Sequence, residues 1–201
     1  MRIKSVCLVA GLVAAAGGVF GTAADAALIT SGTVFGNGNG TATVSIIGNS
    51  IVITGKNFTG LGPIDISFTT ANSGSTNTYT LGEGITNSVN PPITWTDYHE
   101  QLGSGIGNTF SLTNTPVNFA PPDSNSNFTV MLLLPYTIDM SQGSVTSGNT
   151  VSVGLDLTVP DQPLTTGGTF TLRQFPTVPE PASLGLLVGL GSLLLARRRR
   201  A

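Results

Sequence analysis

The run from Val151 to Val159, VSVGLDLTV, sets the terms for the fold. Val151, Val153, Leu155, Leu157 and Val159 fall on one side of an extended chain, and Ser152, Gly154, Asp156 and Thr158 on the other. Successive side chains of a strand point to opposite faces, so this is a strand with one dry face. The same period recurs where Ile64, Ile66 and Phe68 alternate with Asp65, Ser67 and Thr69, and where Ala42, Val44 and Ile46 alternate with Thr41, Thr43 and Ser45. Further candidates are Ile51 to Ile53, Thr78 to Leu81, Thr109 to Leu112, Phe128 to Leu134, Tyr136 to Met140 and Thr169 to Leu172. Turn chemistry separates them, at Gly48-Asn49, Gly55-Lys56-Asn57, Gly60-Leu61-Gly62-Pro63, Ser73-Gly74 and Gly148-Asn149. No stretch of residues 27–178 keeps a helical apolar stripe for three turns.

Roughly ten short strands, each with one apolar face, are best buried as two packed sheets. The expected fold is therefore all-β, an antiparallel β-sandwich of jelly-roll-like or immunoglobulin-like topology. A β-solenoid is the alternative, and it needs a fixed repeat. Asn57-Phe58-Thr59 does return as Asn127-Phe128-Thr129, but the flanks differ. The most apolar run, Phe128 to Pro135, reads FTVMLLLP and suits a central strand covered on both faces, with a partner-binding surface as the rival reading.

The two ends obey other rules. Arg2 and Lys4 precede an apolar run from Ser5 to Gly21, and Ala24-Asp25-Ala26 offers small residues where a signal peptidase cuts. Residues 1–26 are expected to be a signal peptide cleaved after Ala26. It would take Cys7, the sole cysteine, with it, so that residues 27–178 form an exported domain without thiol or disulfide. At the other end, Ala182 to Ala196 carries no charge. As a helix it would span about 22 Å, short of a hydrocarbon core of about 30 Å. Arg197, Arg198, Arg199 and Arg200 come directly after it, and such a cluster stays on the cytoplasmic side. The segment reads as a transmembrane stop-transfer helix with everything before it exported.

Pro179-Glu180-Pro181, then a Gly/Leu-rich apolar run, then a terminal arginine cluster, resembles the PEP-CTERM sorting signal. The resemblance covers Val178 to Ala201, with residues 179–201 as the sorting unit. It implies a Gram-negative envelope protein, inserted transiently in the inner membrane. An exosortase would process it near Pro179-Glu180-Pro181 and release it to the surface or an exopolysaccharide-rich matrix. Its partners would be signal peptidase and exosortase, with exopolysaccharide as a further candidate. A looser resemblance links Trp95 to Gly103 with a W-x-D-[YF]-H-x-x-L-G stretch in exported domains of other such proteins; it implies a framework role and no activity.

Charge narrows the remaining classes. Only 9% of the chain is charged. In residues 27–178, eight acids stand against two bases, Lys56 and Arg173. So acidic a domain cannot neutralise a phosphate backbone, which disfavours nucleic acid. One dense polar cluster remains, Trp95-Thr96-Asp97-Tyr98-His99-Glu100. On a strand, Trp95, Asp97 and His99 would share one face, and Thr96, Tyr98 and Glu100 the other. Asp97 could orient His99 as in a hydrolase triad, yet no Gly-x-Ser-x-Gly elbow supplies a nucleophile. Asp97, Glu83 and Glu100 are also the acids a glycosidase would pair. Trp95 and Tyr98 could instead stack on a glycan. Gly/Asn turns could offer carbonyl oxygens to calcium, as any polar loop could, but the eight acids are scattered and no Asp-x-Asp-x-Asp-Gly loop is present. The expectation is a non-enzymatic protein without cofactor, in a structural or interaction role. A glycan-binding module and a small secreted hydrolase using Asp97, His99 or Glu100 are the alternatives.

Overall fold

The computed structural model describes residues 28–71, 75–112, 117–160 and 168–178. The expected signal peptide with Ala24 and Ala26, the Pro179-Glu180-Pro181 motif, the apolar segment 182–196 and Arg197 to Arg200 lie outside the described residues.

Eleven strands are present among the described residues: β1 (Leu28–Phe35), β2 (Gly40–Ile47), β3 (Ser50–Phe58), β4 (Ile64–Ala71), β5 (Asn77–Asn87), β6 (Asp97–Gly103), β7 (Asn118–Asn125), β8 (Val130–Leu134), β9 (Thr137–Ser141), β10 (Thr150–Val159) and β11 (Thr169–Thr177). They form a six-stranded sheet in the order β1-β4-β11-β6-β9-β8 and a five-stranded sheet in the order β2-β3-β5-β10-β7. Consecutive strands are not stacked in sequence order, as the coils of a solenoid would be. Inward residues of both sheets meet in one hydrophobic cluster, from Phe68, Leu102 and Leu172 on the first to Ile53, Leu81 and Leu155 on the second.

The period-two pattern decides which side chains go inside. Val151, Val153, Leu155, Leu157 and Val159 of β10 are all buried, as are Ile64, Ile66 and Phe68 of β4. The β2–β3 hairpin pairs Ile47 with Ser50 across Gly48-Asn49. Gly48 takes φ +57°, which a II′-type connection needs at its first central position.

The structure departs from several local expectations. The sheets are not wholly antiparallel, because β3 and β5 pair in parallel. Parallel neighbours need a crossover, and β4 supplies it by passing through the facing sheet. Thr109–Leu112 is not a strand: a single 3-10 turn, Gly107–Thr109, stands there, with an isolated bridge after it at Ser111. β1 and β7 had no clean alternation to announce them; β7 runs through Pro121 and Pro122, which a sheet tolerates on an edge strand such as this one. Finally, β8 is an edge strand, not a central one. Val130, Leu132 and Leu134 are exposed, while Met131 and Leu133 pack against the core.

Gly55-Lys56-Asn57 is a bulge inside β3 rather than a turn. The register of β3 against β5 shifts between Ile53 and Lys56, and Gly55 sits at φ +59°. One extra residue reverses the inward–outward parity of the rest of the strand. Ile51 and Ile53 point inward before the bulge, and Lys56 and Phe58 after it.

Candidate functional site

That bulge drives a lysine into the core. Lys56 has no exposed surface, and its Nζ donates to Glu83 Oε2 at 2.8 Å and to the Tyr98 hydroxyl at 2.8 Å. Nζ is also in direct contact with Gln174 Oε1. Gln174 Nε2 donates to Glu83 Oε1 at 2.9 Å. Four strands deliver these groups. Lys56 comes from β3 and Glu83 from β5 of one sheet, Tyr98 from β6 and Gln174 from β11 of the other. Glu100 is next to Gln174 across the β6–β11 ladder and is fully buried, with its carboxyl group beside Glu83 and Gln174.

The electrostatics are set by burial. One ammonium faces two carboxyl groups in a dry space, where unpaired charge is costly. Burial, reinforced by the charge of Glu83, pushes the Glu100 carboxyl well above the usual range. Burial pushes Lys56 below its usual value, opposed by the charges of Glu83 and Glu100. The Tyr98 hydroxyl is raised by the same burial and the same acids. Aromatic rings wall the site: Phe58 meets Trp95 edge-on at 5.5 Å and Tyr98 at 6.1 Å, and Lys56 Nζ lies 5.5 Å from the centre of the Tyr98 ring.

Trp95 and Tyr98 are thus core residues, both without exposed surface. Neither offers a face to a glycan in solvent. The expected face-sharing of Trp95 with Asp97 and His99 also fails. Trp95 precedes β6 in an isolated bridge to Val145 and points inward, whereas Asp97 and His99 lie on the outer, half-buried side. The other half of the expectation holds for Tyr98 and Glu100, which share the inner face.

His99 is oriented by Asp139 of β9, not by Asp97: Nδ1 lies 2.7 Å from Asp139 Oδ1. Its Nε2 is 3.1 Å from Thr177 Oγ1, and that hydroxyl also reaches Asp97 Oδ2 at 3.4 Å. Phe175 stacks on the imidazole at 5.0 Å. This is an acid–imidazole–hydroxyl chain on an outer sheet face, and Glu100 points away from it into the core. The hydrolase trio of Asp97, His99 and Glu100 is therefore not one constellation.

The second base is tied down as firmly as the first. Arg173 holds Asp65 through Nε at 2.7 Å and a second nitrogen at 2.9 Å, and donates to the Gly107 carbonyl at 2.6 Å. Asp65 also accepts from the Gly107 amide and from Asn37. Burial alone would raise the Asp65 carboxyl, but these donors outweigh it and hold it below its usual range. Both bases of residues 27–178 are thus engaged by carboxylates. Among the described residues no three acids, histidines or cysteines gather where a metal could sit.

Sequence reading missed Lys56, Glu83 and Gln174 as a group. Glu83 was legible in principle, standing at inward parity between Leu81 and Ile85 on β5. Lys56 was not, because its parity depends on the bulge.

Comparison with known proteins bears on the other end of the chain. No curated protein and no solved structure matches the chain significantly. Residues 177–200 match the PEP-CTERM protein-sorting motif. That match spans Pro179-Glu180-Pro181, the apolar run and the four arginines. The chain therefore ends in a PEP-CTERM sorting signal, the mark of an exported protein addressed to an exosortase.

Proposed function

We propose that the domain of residues 27–178 is a β-sandwich with a structural or interaction role at the cell surface or in the extracellular matrix, without catalysis. Residues 1–26 would leave on export, and residues 179–201 would be removed or exchanged by exosortase after brief residence in the inner membrane. The observation that carries this reading is the sorting motif at residues 177–200. Two features of the domain support a non-catalytic role. Its strongest titratable cluster is sealed between the sheets, out of reach of a substrate. Its strand β8, at the end of its sheet among the described residues, exposes Val130, Leu132 and Leu134 in a row, an apolar strip suited to contact with another surface. Any polysaccharide contact falls to residues other than Trp95 and Tyr98.

Fractionation of the native host with mass spectrometry tests the route. The surface form should lack Met1 to Ala26 and most of Ala182 to Ala201, and deletion of the exosortase should strand the chain in the inner membrane. Recovery of the intact chain in the cytosol, or of a surface form that keeps its arginine tail, overturns the proposal. An ester and glycoside substrate screen covers catalysis: turnover abolished by His99→Ala would assign the outer-face cluster an enzymatic role and remove the non-enzymatic reading.

A further inference from the structure

The sealed cluster holds every part of a bond-forming reaction. We propose that Lys56 and Gln174 join spontaneously in an intramolecular isopeptide bond, with Glu83 as the proton carrier, so that the two sheets become covalently linked.

Geometry carries the case. Lys56 Nζ contacts Gln174 Oε1, which brings the amine to the carboxamide group whose Cδ is the electrophile. Glu83 touches both nitrogens between which a proton must move: Oε2 is 2.8 Å from Lys56 Nζ and Oε1 is 2.9 Å from Gln174 Nε2. The Tyr98 hydroxyl, 2.8 Å from Nζ, holds the amine in place. Lys56 and Gln174 show no exposed surface, so water does not compete as nucleophile. Held this way, two reactants behave as one, which removes much of the barrier that a free amine and carboxamide face. An ordinary buried ion pair needs a lysine and an acid; it does not need a carboxamide wedged against the ammonium and hydrogen-bonded to the same acid.

The chemistry balances without an oxidant or cofactor. Glu83 accepts a proton from the Nζ ammonium, leaving a neutral amine. Desolvation favours that neutral form and makes a buried lysine nucleophilic. Nζ adds to Cδ, Glu83 returns its proton to Nε2, and the Cδ–Nε2 bond breaks with loss of ammonia. Glu83 then takes the second proton from Nζ, which is left as a secondary amide. The product closes a loop between residues 118 positions apart and from opposite sheets. Residues 27–178 contain no cysteine, so no disulfide can serve that purpose.

Lys56 and Arg173 are the two tryptic sites of residues 27–178, which makes the test direct. The full chain is expressed with its own signal, purified, denatured and digested with trypsin. A linked chain resists cleavage after Lys56, and the fragment starting at Gln174 stays attached to the Lys56 peptide with a deficit of one ammonia, about 17 Da. Cleavage after Lys56 with release of residues 57–173 and an unattached Gln174 fragment overturns the proposal. It does so even if ammonia is lost elsewhere, as from an Asn-Gly succinimide. Glu83→Gln should restore cleavage after Lys56; if the link forms in that variant at the wild-type rate, Glu83 is not the proton carrier. Should Glu83→Gln fail to fold, the wild-type digest decides by itself. The result does not depend on exosortase, so it stands apart from the sorting route.

Discussion

Gly55 shows how much one backbone angle can decide. At φ +59° it occupies the left-handed region, where a Cβ is penalised, although a Cβ there would meet nothing within 4 Å. The position needs glycine for conformation, not for space. Gly55→Ala should cost about 1–2 kcal/mol in denaturant unfolding. It should also loosen the aim of Lys56, read as a larger fraction of chain that trypsin cleaves after Lys56. Gly84, by contrast, has ordinary φ and faces only a Thr150 methyl at 3.8 Å, so Gly84→Ala is the control that should be close to neutral. The local residue types Gly-Lys-Asn were legible in the sequence, but their reading as a turn was wrong. The same triplet serves a turn or a bulge, and only pairing with β5 tells them apart.

Among the strands, alternation reads the dry face faithfully and says nothing about the neighbours. β10 and β4 illustrate the first half: each was legible because its odd or even residues alone are apolar. β8 illustrates the second. Its run of five apolar residues, VMLLL, suits burial on both faces, but the strand lies at the end of its sheet and leaves Leu132 half exposed, at 52%. Two leucines on different strands should therefore respond in opposite ways. Leu155→Ala, in the centre of the core, should cost about 2–5 kcal/mol by the cavity it leaves. Leu132→Lys should change stability by less than about 0.5 kcal/mol and reduce self-association in analytical ultracentrifugation. A large destabilisation by Leu132→Lys would mean that the edge is covered in the folded protein.

For the protein as one body, the charge census matters more than the net charge. Asp65, held below its usual range, contributes stability that is present above the ordinary carboxylate range and is lost as pH falls through its folded value. Glu100, held well above that range, behaves oppositely: its contribution is complete at low pH and is lost as pH rises through its folded value. Lys56, Glu83 and Tyr98 face it, so the comparison should be internal. Glu100→Gln should flatten the loss of stability above the ordinary carboxylate range, by up to about 1.4 kcal/mol per pH unit relative to the parent. Identical slopes in urea titrations across pH would refute the assignment.

Residue order was enough to establish that the chain is all-β, which residues of most strands go inside, and that its end carries an export address. Those properties are local, written in period-two patterning and in a contiguous motif that needs no partner to be read. It took the folded arrangement to establish that β3 and β5 run in parallel, that β8 is an edge, that His99 is paired with Asp139, and that Lys56 meets Glu83 and Gln174. Each of those depends on residues far apart in the chain being brought together by sheet pairing, and a one-residue bulge is enough to turn a solvent-facing lysine into the centre of the core.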